Sequence, residues 1–250
     1  MAFKLSDIKK KIERKPPRVL IHGVAGLGKT TLAASIPGVI ILPTEDGLTG
    51  VKDVAHFPLA KTYEDIMSAL YELVEKDHDY RALVIDSVDW LEPIFWAKVC
   101  ADEKVDAVEN IPYGRGYKIA VELWRKYTQY LNRLRNEKNM VIFQIAHTAI
   151  RTFYPPDGES YDRYEIALHK GASALLQEHS DLVLFANYET NIVKNQGKMG
   201  KQEKRAVSSG ERKLYTQERP AWLAKNRYAM PESIDFSWDA IINGLKGDKK

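Results

Sequence analysis

Short apolar runs separated by amphipathic segments fill the first two thirds of the chain. The apolar runs predict buried strands at residues 18–22, 38–42, 81–85, 139–146 and 181–186, with a shorter strand at 54–57. Apolar residues at helical spacing predict helices that begin at residue 31 and span residues 62–76, 88–103, 117–137 and 168–179. Because strands alternate with helices, we predict an α/β fold with a parallel sheet and with ligands at the C-terminal strand ends.

The other segments predict less regular structure. Residues 110–118 contain glycine and proline and predict a loop, and residues 148–165 are polar and aromatic and predict a second, longer loop. Residues 187–226 predict antiparallel hairpins, and residues 233–245 predict a terminal helix. We therefore expect a basic amphipathic segment over residues 1–17, one domain over 18–245 and a tail over 246–250.

A glycine-rich loop lies between the first predicted strand and the first predicted helix. The sequence from Gly23 to Thr30 fits the phosphate-loop pattern G-x-x-x-x-G-K-[ST]. Backbone N–H groups of such a loop bind phosphate at a helix N-terminus, Lys29 reaches the β- and γ-phosphates, and the Thr30 hydroxyl ligates Mg²⁺. The residues predicted to bind a nucleoside triphosphate are Gly23, Val24, Ala25, Gly26, Leu27, Gly28, Lys29, Thr30 and Thr31.

Two carboxylates follow later strands of the predicted sheet. Asp86 ends an apolar strand, where it can orient Mg²⁺ or cap the following helix. Glu45 follows another strand and is the candidate to activate the attacking water, since parallel strands deliver their C-terminal ends to one edge. Asp46 is the rival to Glu45, with the alternative role of forming a turn before Gly47.

A histidine and two cations complete the candidate chemistry. His147 ends a further strand at the same edge, where it can sense the γ-phosphate or form a structural hydrogen bond. Lys225 and Arg227 are two residues apart and point the same way in an extended strand. They can supply charge to a phosphate bound by a neighbouring subunit, or form a solvated basic face.

Composition narrows the class of protein. The chain has 250 residues, 44% hydrophobic and 28% charged, which is typical of a soluble globular domain. A single cysteine, Cys100, excludes an intramolecular disulfide and fits a reducing cytoplasm. No apolar run approaches a membrane span and no signal peptide is evident, so we expect no membrane association. The net charge of +3 is compatible with nucleic acid but does not indicate it alone.

Together these segments resemble the RecA-like ATPases. The matching parts are GVAGLGKT, the glutamate of LPTEDG, the strand end LVIDS, the polar residue that closes VIFQIAH, and KNR, in the family's order over about residues 18–230. The resemblance is greatest to phage-type minimal RecA-core proteins, which bind ATP and act in single-strand annealing or recombination. It implies a RecA-like P-loop NTPase core with a mostly parallel central sheet, helices on both faces and C-terminal antiparallel hairpins.

The resemblance also implies roles for the candidate residues. ATP and Mg²⁺ are the implied cofactors, Lys29 and Thr30 bind them, and Asp86 is the acid of the Walker B strand. Glu45 is the implied catalytic carboxylate, and His147 stands where RecA itself has a sensor glutamine. Lys225 and Arg227 are similar to the piston or finger cations of ring helicases and related filaments.

The two predicted loops are similar in position to the DNA-binding loops of this family. Basic side chains there can neutralise phosphates and aromatic ones can stack on bases, or the aromatic residues pack within the loops. The candidates are Tyr113, Arg115, Tyr117, Lys118, Arg151, Phe153, Tyr154 and Arg163. The second loop is partly acidic, which favours binding of single-stranded DNA or annealing over strand exchange.

The resemblance predicts an ATP-hydrolysing protein that binds single-stranded DNA and promotes annealing or recombination. Its expected partners are single-stranded DNA, further copies of the chain in a filament or ring, and a single-strand DNA-binding protein. Its expected location is the cytoplasm of a bacterial cell or phage host. The alternative is a P-loop switch or a helicase-like motor subunit that acts through partner proteins.

Overall fold

The computed structural model describes residues 4–8, 10, 14–51, 53–196 and 202–247. Much of the predicted N-terminal amphipathic segment, Phe3 included, lies outside these residues, as do residues 197–201 of the predicted hairpin tip and 248–250 of the tail. Among the described residues, no helix is both long and apolar enough to cross a membrane.

The central sheet is parallel in its middle and antiparallel at one side. Its strands are β1 (Arg18–Gly23), β2 (Val39–Pro43), β3 (Ala55–His56), β4 (Ala82–Asp86), β5 (Val141–Phe153), β6 (Tyr161–Ile166), β7 (Leu182–Gln196), β8 (Gln202–Tyr215), β9 (Lys225–Asn226) and β10 (Ser233–Asp235). Their order is β10-β8-β7-β1-β5-β4-β2-β3, with β6 paired to β5 and β9 to β7. The pairs from β7 through β3 are parallel, whereas β8, β9 and β10 add antiparallel pairs.

Helices cover both faces of this sheet. They are α1 (Lys29–Ala34), α2 (Tyr63–Glu75), α3 (Val88–Glu103), α4 (Arg115–Glu137), α5 (Lys170–His179) and α6 (Trp238–Lys246). Successive strand residues point to opposite faces. In β1, Leu20 packs in the core formed with α2 to α5, whereas Val19 and Ile21 pack in the core formed with α1 and α6. The predicted α/β fold, with helices on both faces and C-terminal antiparallel strands, is confirmed.

Parallel pairing brings the predicted site residues to one edge of the sheet. In the strand register Gly23 lies beside His147, and Asp86 lies beside Ile145 and Pro43. The phosphate loop therefore begins next to β5, and the strand that ends in Asp86 lies on the other side of β5. The ends of β1, β5 and β4 and the start of the segment after β2 therefore meet at this edge.

The predicted loop at residues 148–165 is wrong. Strand β5 continues past His147 to Phe153 and pairs antiparallel with β6, from Thr148 opposite Ile166 to Phe153 opposite Tyr161. The two strands of this hairpin are hard to predict from the sequence because several of their side chains are exposed and no apolar run marks them. The Pro-Pro-Asp-Gly segment lies in its connecting turn.

The predicted loop at residues 110–118 is only partly correct. Short 3₁₀ turns occupy Val108–Asn110 and Pro112–Gly114, and α4 already begins at Arg115. Gly116 lies inside this helix, where a Cβ atom would be 2.6 Å from the carbonyl oxygen of Val108. This glycine thus permits close packing of the helix against the preceding turn rather than a flexible loop.

Candidate functional site

The phosphate loop encloses the ammonium group of Lys29. This side chain is buried, and its Nζ donates hydrogen bonds to the carbonyl oxygens of Gly23 and Val24, each at 2.8 Å. Burial lowers the pKa of Lys29, and the charges of the nearby carboxylates Asp86, Asp89 and Glu45 oppose that shift. The loop therefore holds a cation that faces several acidic side chains, as a site for phosphate and a metal ion requires.

The hydroxyl of Thr30 and the carboxylate of Asp86 lie together at the end of β4. Thr30 Oγ1 donates to Asp86 Oδ2 at 2.7 Å, and Asp86 is buried. Burial raises the pKa of Asp86, while the hydrogen bond from Thr30 lowers it. Both atoms are oxygen donors, which is the ligand type that Mg²⁺ prefers, so this pair fits the metal ion.

The rest of a magnesium coordination shell is not supplied by the described side chains. Among those residues, no group of three or more His, Cys, Asp or Glu side chains is arranged to hold a metal ion. Mg²⁺ commonly keeps several waters and binds one or two protein groups together with substrate phosphates. The Thr30–Asp86 pair is thus suited to a metal ion that arrives with a nucleotide.

Glu45 faces the same cavity from the segment after β2. The cavity has a volume of about 280 Å³, and Glu45, Asp86 and His147 line it together with the phosphate loop. Asp46 is exposed and does not contribute to this lining. The position of Glu45 favours it over its neighbour as the carboxylate that faces a nucleotide, and its catalytic role stays a prediction.

His147 is held by an acid that the sequence analysis missed. Its Nδ1 lies 2.8 Å from Asp89 Oδ2, and its backbone N–H donates to Asp89 Oδ1 at 2.9 Å. The hydrogen bond to Asp89 raises the pKa of His147. Burial alone would raise the pKa of Asp89, but the hydrogen bonds from His147 lower it. The sequence signal was the acid three residues after Asp86, in the first turn of α3.

Lys225 and Arg227 have partners within their own chain, away from the phosphate loop. Strand β9 pairs with the start of β7, at the opposite end of the parallel strands from the loop. Lys225 Nζ donates to the carbonyl oxygens of Gln177 and Ser180 at 2.6 and 2.9 Å, and Arg227 Nη1 lies 3.1 Å from Asp181 Oδ1. These contacts give both cations a structural role at the end of α5. Action on a neighbouring subunit stays a prediction.

Arg163 is not placed as predicted. Its side chain is 6% exposed, and its guanidinium forms an ion pair with Glu218 at 2.8 Å and lies over the Phe153 ring at 5.2 Å. The positive charge of Arg163 on β6 is therefore compensated within the chain by Glu218. The prediction that Arg163 contacts DNA phosphates is corrected, because its guanidinium is not presented to solvent.

Three further DNA-binding candidates also have partners within the chain. Arg115 Nη2 lies 2.8 Å from Glu103 Oε2, and the Tyr117 hydroxyl donates to Glu109 at 2.6 Å. Arg151 Nη2 donates to the carbonyl oxygen of Leu168 at 2.6 Å. The Arg115 pair is solvent-exposed and therefore weak, so Arg115 is readily available to a phosphate.

The remaining candidates are accessible. Tyr113 is fully exposed just before α4, and Lys118 is exposed on the first turns of that helix. Tyr154 is 77% exposed at the end of the β5–β6 hairpin, next to the partly covered Phe153. Ile150 is also exposed on this hairpin. Ile150 and Tyr154 are therefore exposed on the hairpin that continues β5 past His147, whereas Tyr113 and Lys118 are exposed at the start of α4.

Comparison with known families adds one finding. A family model described as an AAA domain matches residues 15–228, which include the phosphate loop, both candidate carboxylates and the β5–β6 hairpin. No curated protein matches the chain.

Proposed function

Because the chain belongs to the AAA domain family, we propose that it binds ATP with Mg²⁺ at the edge of its parallel sheet and hydrolyses the bond between the β- and γ-phosphates, which releases ADP and phosphate. One observation carries this proposal. The hydroxyl of Thr30 and the carboxylate of Asp86 are hydrogen-bonded at 2.7 Å, and the same cavity is lined by Lys29. A metal-binding pair beside a phosphate-binding lysine is the arrangement that phosphoryl transfer requires.

Each residue at this edge has a defined task in the proposed reaction. The loop N–H groups and the Lys29 ammonium bind phosphate oxygens and compensate their charge. Thr30 and Asp86 would hold Mg²⁺, and the bound ion would supply positive charge to the phosphates. Glu45 orients a water molecule and accepts its proton as the water attacks. His147, kept in position by Asp89, donates a hydrogen bond toward the γ-phosphate.

The test is release of phosphate from ATP, measured with Mg²⁺ and with excess EDTA. We expect turnover with Mg²⁺, loss of turnover in EDTA, and a reduction of at least about 100-fold in Asp86→Asn. Asp79→Asn is the matched control, because Asp79 is an exposed acid just before β4 and should leave turnover unchanged. Turnover that survives both EDTA and Asp86→Asn would refute the proposal.

We further propose that the surface beyond His147 binds single-stranded DNA and that the protein acts in annealing or recombination as a homo-oligomer. The supporting observation is the continuity of β5, which carries His147 at the nucleotide cavity and continues into the hairpin that exposes Ile150 and Tyr154. Exposed aromatic rings stack on bases without sequence preference, and Lys118 and Arg115 at the start of α4 supply positive charge.

Salt dependence of binding to an oligonucleotide tests this second proposal. The double variant Arg115→Gln, Lys118→Gln should reduce the steepness of the slope of log affinity against log salt concentration by about 1.4. This value assumes about 0.7 for each of two lost contacts with single-strand phosphates. Tyr154→Ala should weaken binding several-fold without changing that slope. Tyr71→Ala is the matched control, since Tyr71 is an exposed tyrosine on α2. Unchanged slope and affinity would remove this surface from the DNA path.

A switch that acts through a protein partner is the second candidate function. The observation that favours it is the character of the same hairpin, where Ile150 is exposed, Asp157 and Glu159 are exposed acids, and Arg163 is internally paired. An apolar surface with acidic neighbours suits a protein better than a polyanion. Oligonucleotide binding that is absent at low salt, with ATP turnover intact, would favour this candidate.

A further inference from the structure

A second cavity lies on the other side of the first turn of α1. Its volume is about 330 Å³, and Gly28 and Thr31 line both this cavity and the phosphate cavity. The remaining walls include Arg212 from β8, Phe236 from the segment between β10 and α6, and Trp238 at the start of α6. The two cavities are therefore adjacent around the same helix N-terminus.

Arg212 is the cation that lines this second cavity, whose other polar lining residues are Thr31, Ser35, Ser237 and Asp239. Its Nη1 donates to the carbonyl oxygen of Leu27 in the phosphate loop at 3.1 Å, and its guanidinium carbon lies 4.9 Å from the centre of the Phe236 ring. Gly28 has φ 91°, and a Cβ atom there would be 2.7 Å from Arg212 Nη1. A larger residue at position 28 would displace the guanidinium, so the loop sequence permits this close approach.

The geometry points to this second cavity as the binding site for the nucleoside part of the nucleotide, with the base stacked on Arg212 and Phe236. This inference rests on the proposed ATP binding. Glu45, Asp86 and His147 all line the first cavity, which assigns the γ-phosphate end to that side. A triphosphate held there by the loop must direct its α-phosphate and nucleoside away from these groups, past Thr31.

The chemistry of the cavity suits a nucleobase. A guanidinium is planar and weakly hydrated, and it stacks on the faces of aromatic rings. Held between the Leu27 carbonyl and the Phe236 ring, Arg212 loses little conformational freedom when a base packs against it. Phe236 is partly buried against the core, which fixes the ring as a second flat surface.

Comparison of two ligands distinguishes the contribution of the nucleoside to binding affinity from that of the phosphates. The affinities of ATP and of inorganic tripolyphosphate are measured by titration calorimetry with Mg²⁺ for wild type, Arg212→Ala and Phe236→Leu. We expect ATP to bind wild type at least tenfold more tightly than tripolyphosphate, and each variant to lose about 5- to 50-fold for ATP. Tripolyphosphate affinity should change less than twofold in the variants.

Lys213→Ala is the matched control, because Lys213 is the neighbouring cation on β8 and pairs with Asp235. Thermal melting of each variant shows whether the fold is retained. Equal losses for ATP and tripolyphosphate in Arg212→Ala would overturn the inference, since the guanidinium would then act on phosphate. Equal wild-type affinities for the two ligands would overturn it as well. Wild type that binds neither ligand would refute the proposed ATP binding itself.

Discussion

Glu92→Gln should stabilise the protein at neutral and alkaline pH. Glu92 lies on α3 with 7% exposure, and its two carboxylate oxygens accept from the backbone N–H of His169 at 3.0 and 2.9 Å, at the start of α5. Burial raises the pKa of Glu92 from 4.5 to about 7, although the hydrogen bond from His169 and the charge of Arg151 oppose that shift. Glutamine keeps the shape and one acceptor oxygen but carries no charge.

The size and sign of the effect follow from these two pKa values. The pKa of Glu92 is about 7 in the folded protein and 4.5 in the unfolded chain. This difference corresponds to about 3 kcal/mol of unfolding free energy. Because the folded value is the higher one, this contribution of Glu92 is fully present below about pH 4.5. It is lost as the pH rises through about 7, where the buried carboxyl must ionise. The glutamine variant lacks this dependence.

The assay is urea unfolding followed by circular dichroism at pH 5, 6, 7 and 8. The free energy of unfolding of Glu92→Gln minus that of wild type should increase steadily over this range, by about 2 to 3 kcal/mol in total. Glu122→Gln is the matched control, because Glu122 is an exposed helical glutamate and should give no such trend. A difference that does not change between pH 5 and pH 8 would refute the reasoning, since it would mean that Glu92 stays ionised in the fold.

Three shorter predictions concern the site and its surroundings. Glu45→Gln should retain ATP binding and slow hydrolysis at least about 100-fold, whereas Asp46→Asn should have little effect; the reverse result in phosphate-release assays would assign catalysis to Asp46. Asp89→Asn should lower the pKa of His147, whose hydrogen bond to Asp89 raises it, and NMR titration of the imidazole measures that change. Arg163→Ala should reduce the free energy of unfolding by about 1 to 3 kcal/mol because it removes a buried guanidinium and its contacts with Glu218 and Phe153, and it should leave the salt slope for DNA binding unchanged; a destabilised fold with a shallower slope would contradict the internal role.

Local sequence patterns predicted the parts of the fold that depend on local physics. The strand–loop–helix at the phosphate loop combines an apolar run, glycines and a helix start within a few residues, and the structure has all three in place. Glu45, which follows β2, and Asp86, which ends β4, could be predicted as site residues because parallel strands end at a common edge. The helix predicted over residues 62–76 begins after Thr62, whose side chain accepts from the N–H of Asp65 and so caps α2.

Contacts between distant residues could not be predicted in this way. Asp89 is 58 residues from His147, and Arg212 is 185 residues from Leu27, so no local pattern pairs them. The burial of Arg163 depends on Glu218, which is 55 residues away. A charged residue is normally exposed unless a partner compensates it, and the partner is known only once the fold is known.

The most direct test of the account is calorimetric titration of ATP into wild type and Lys29→Ala in the presence of Mg²⁺. Lys29 is the buried cation of the phosphate loop, so the variant should lose at least about 100-fold in affinity for ATP while its melting temperature stays near that of wild type. Lys61→Ala, which removes an exposed lysine before α2, should bind as wild type does. A folded Lys29→Ala protein that binds ATP as tightly as wild type would contradict the assignment of this loop as the nucleotide site.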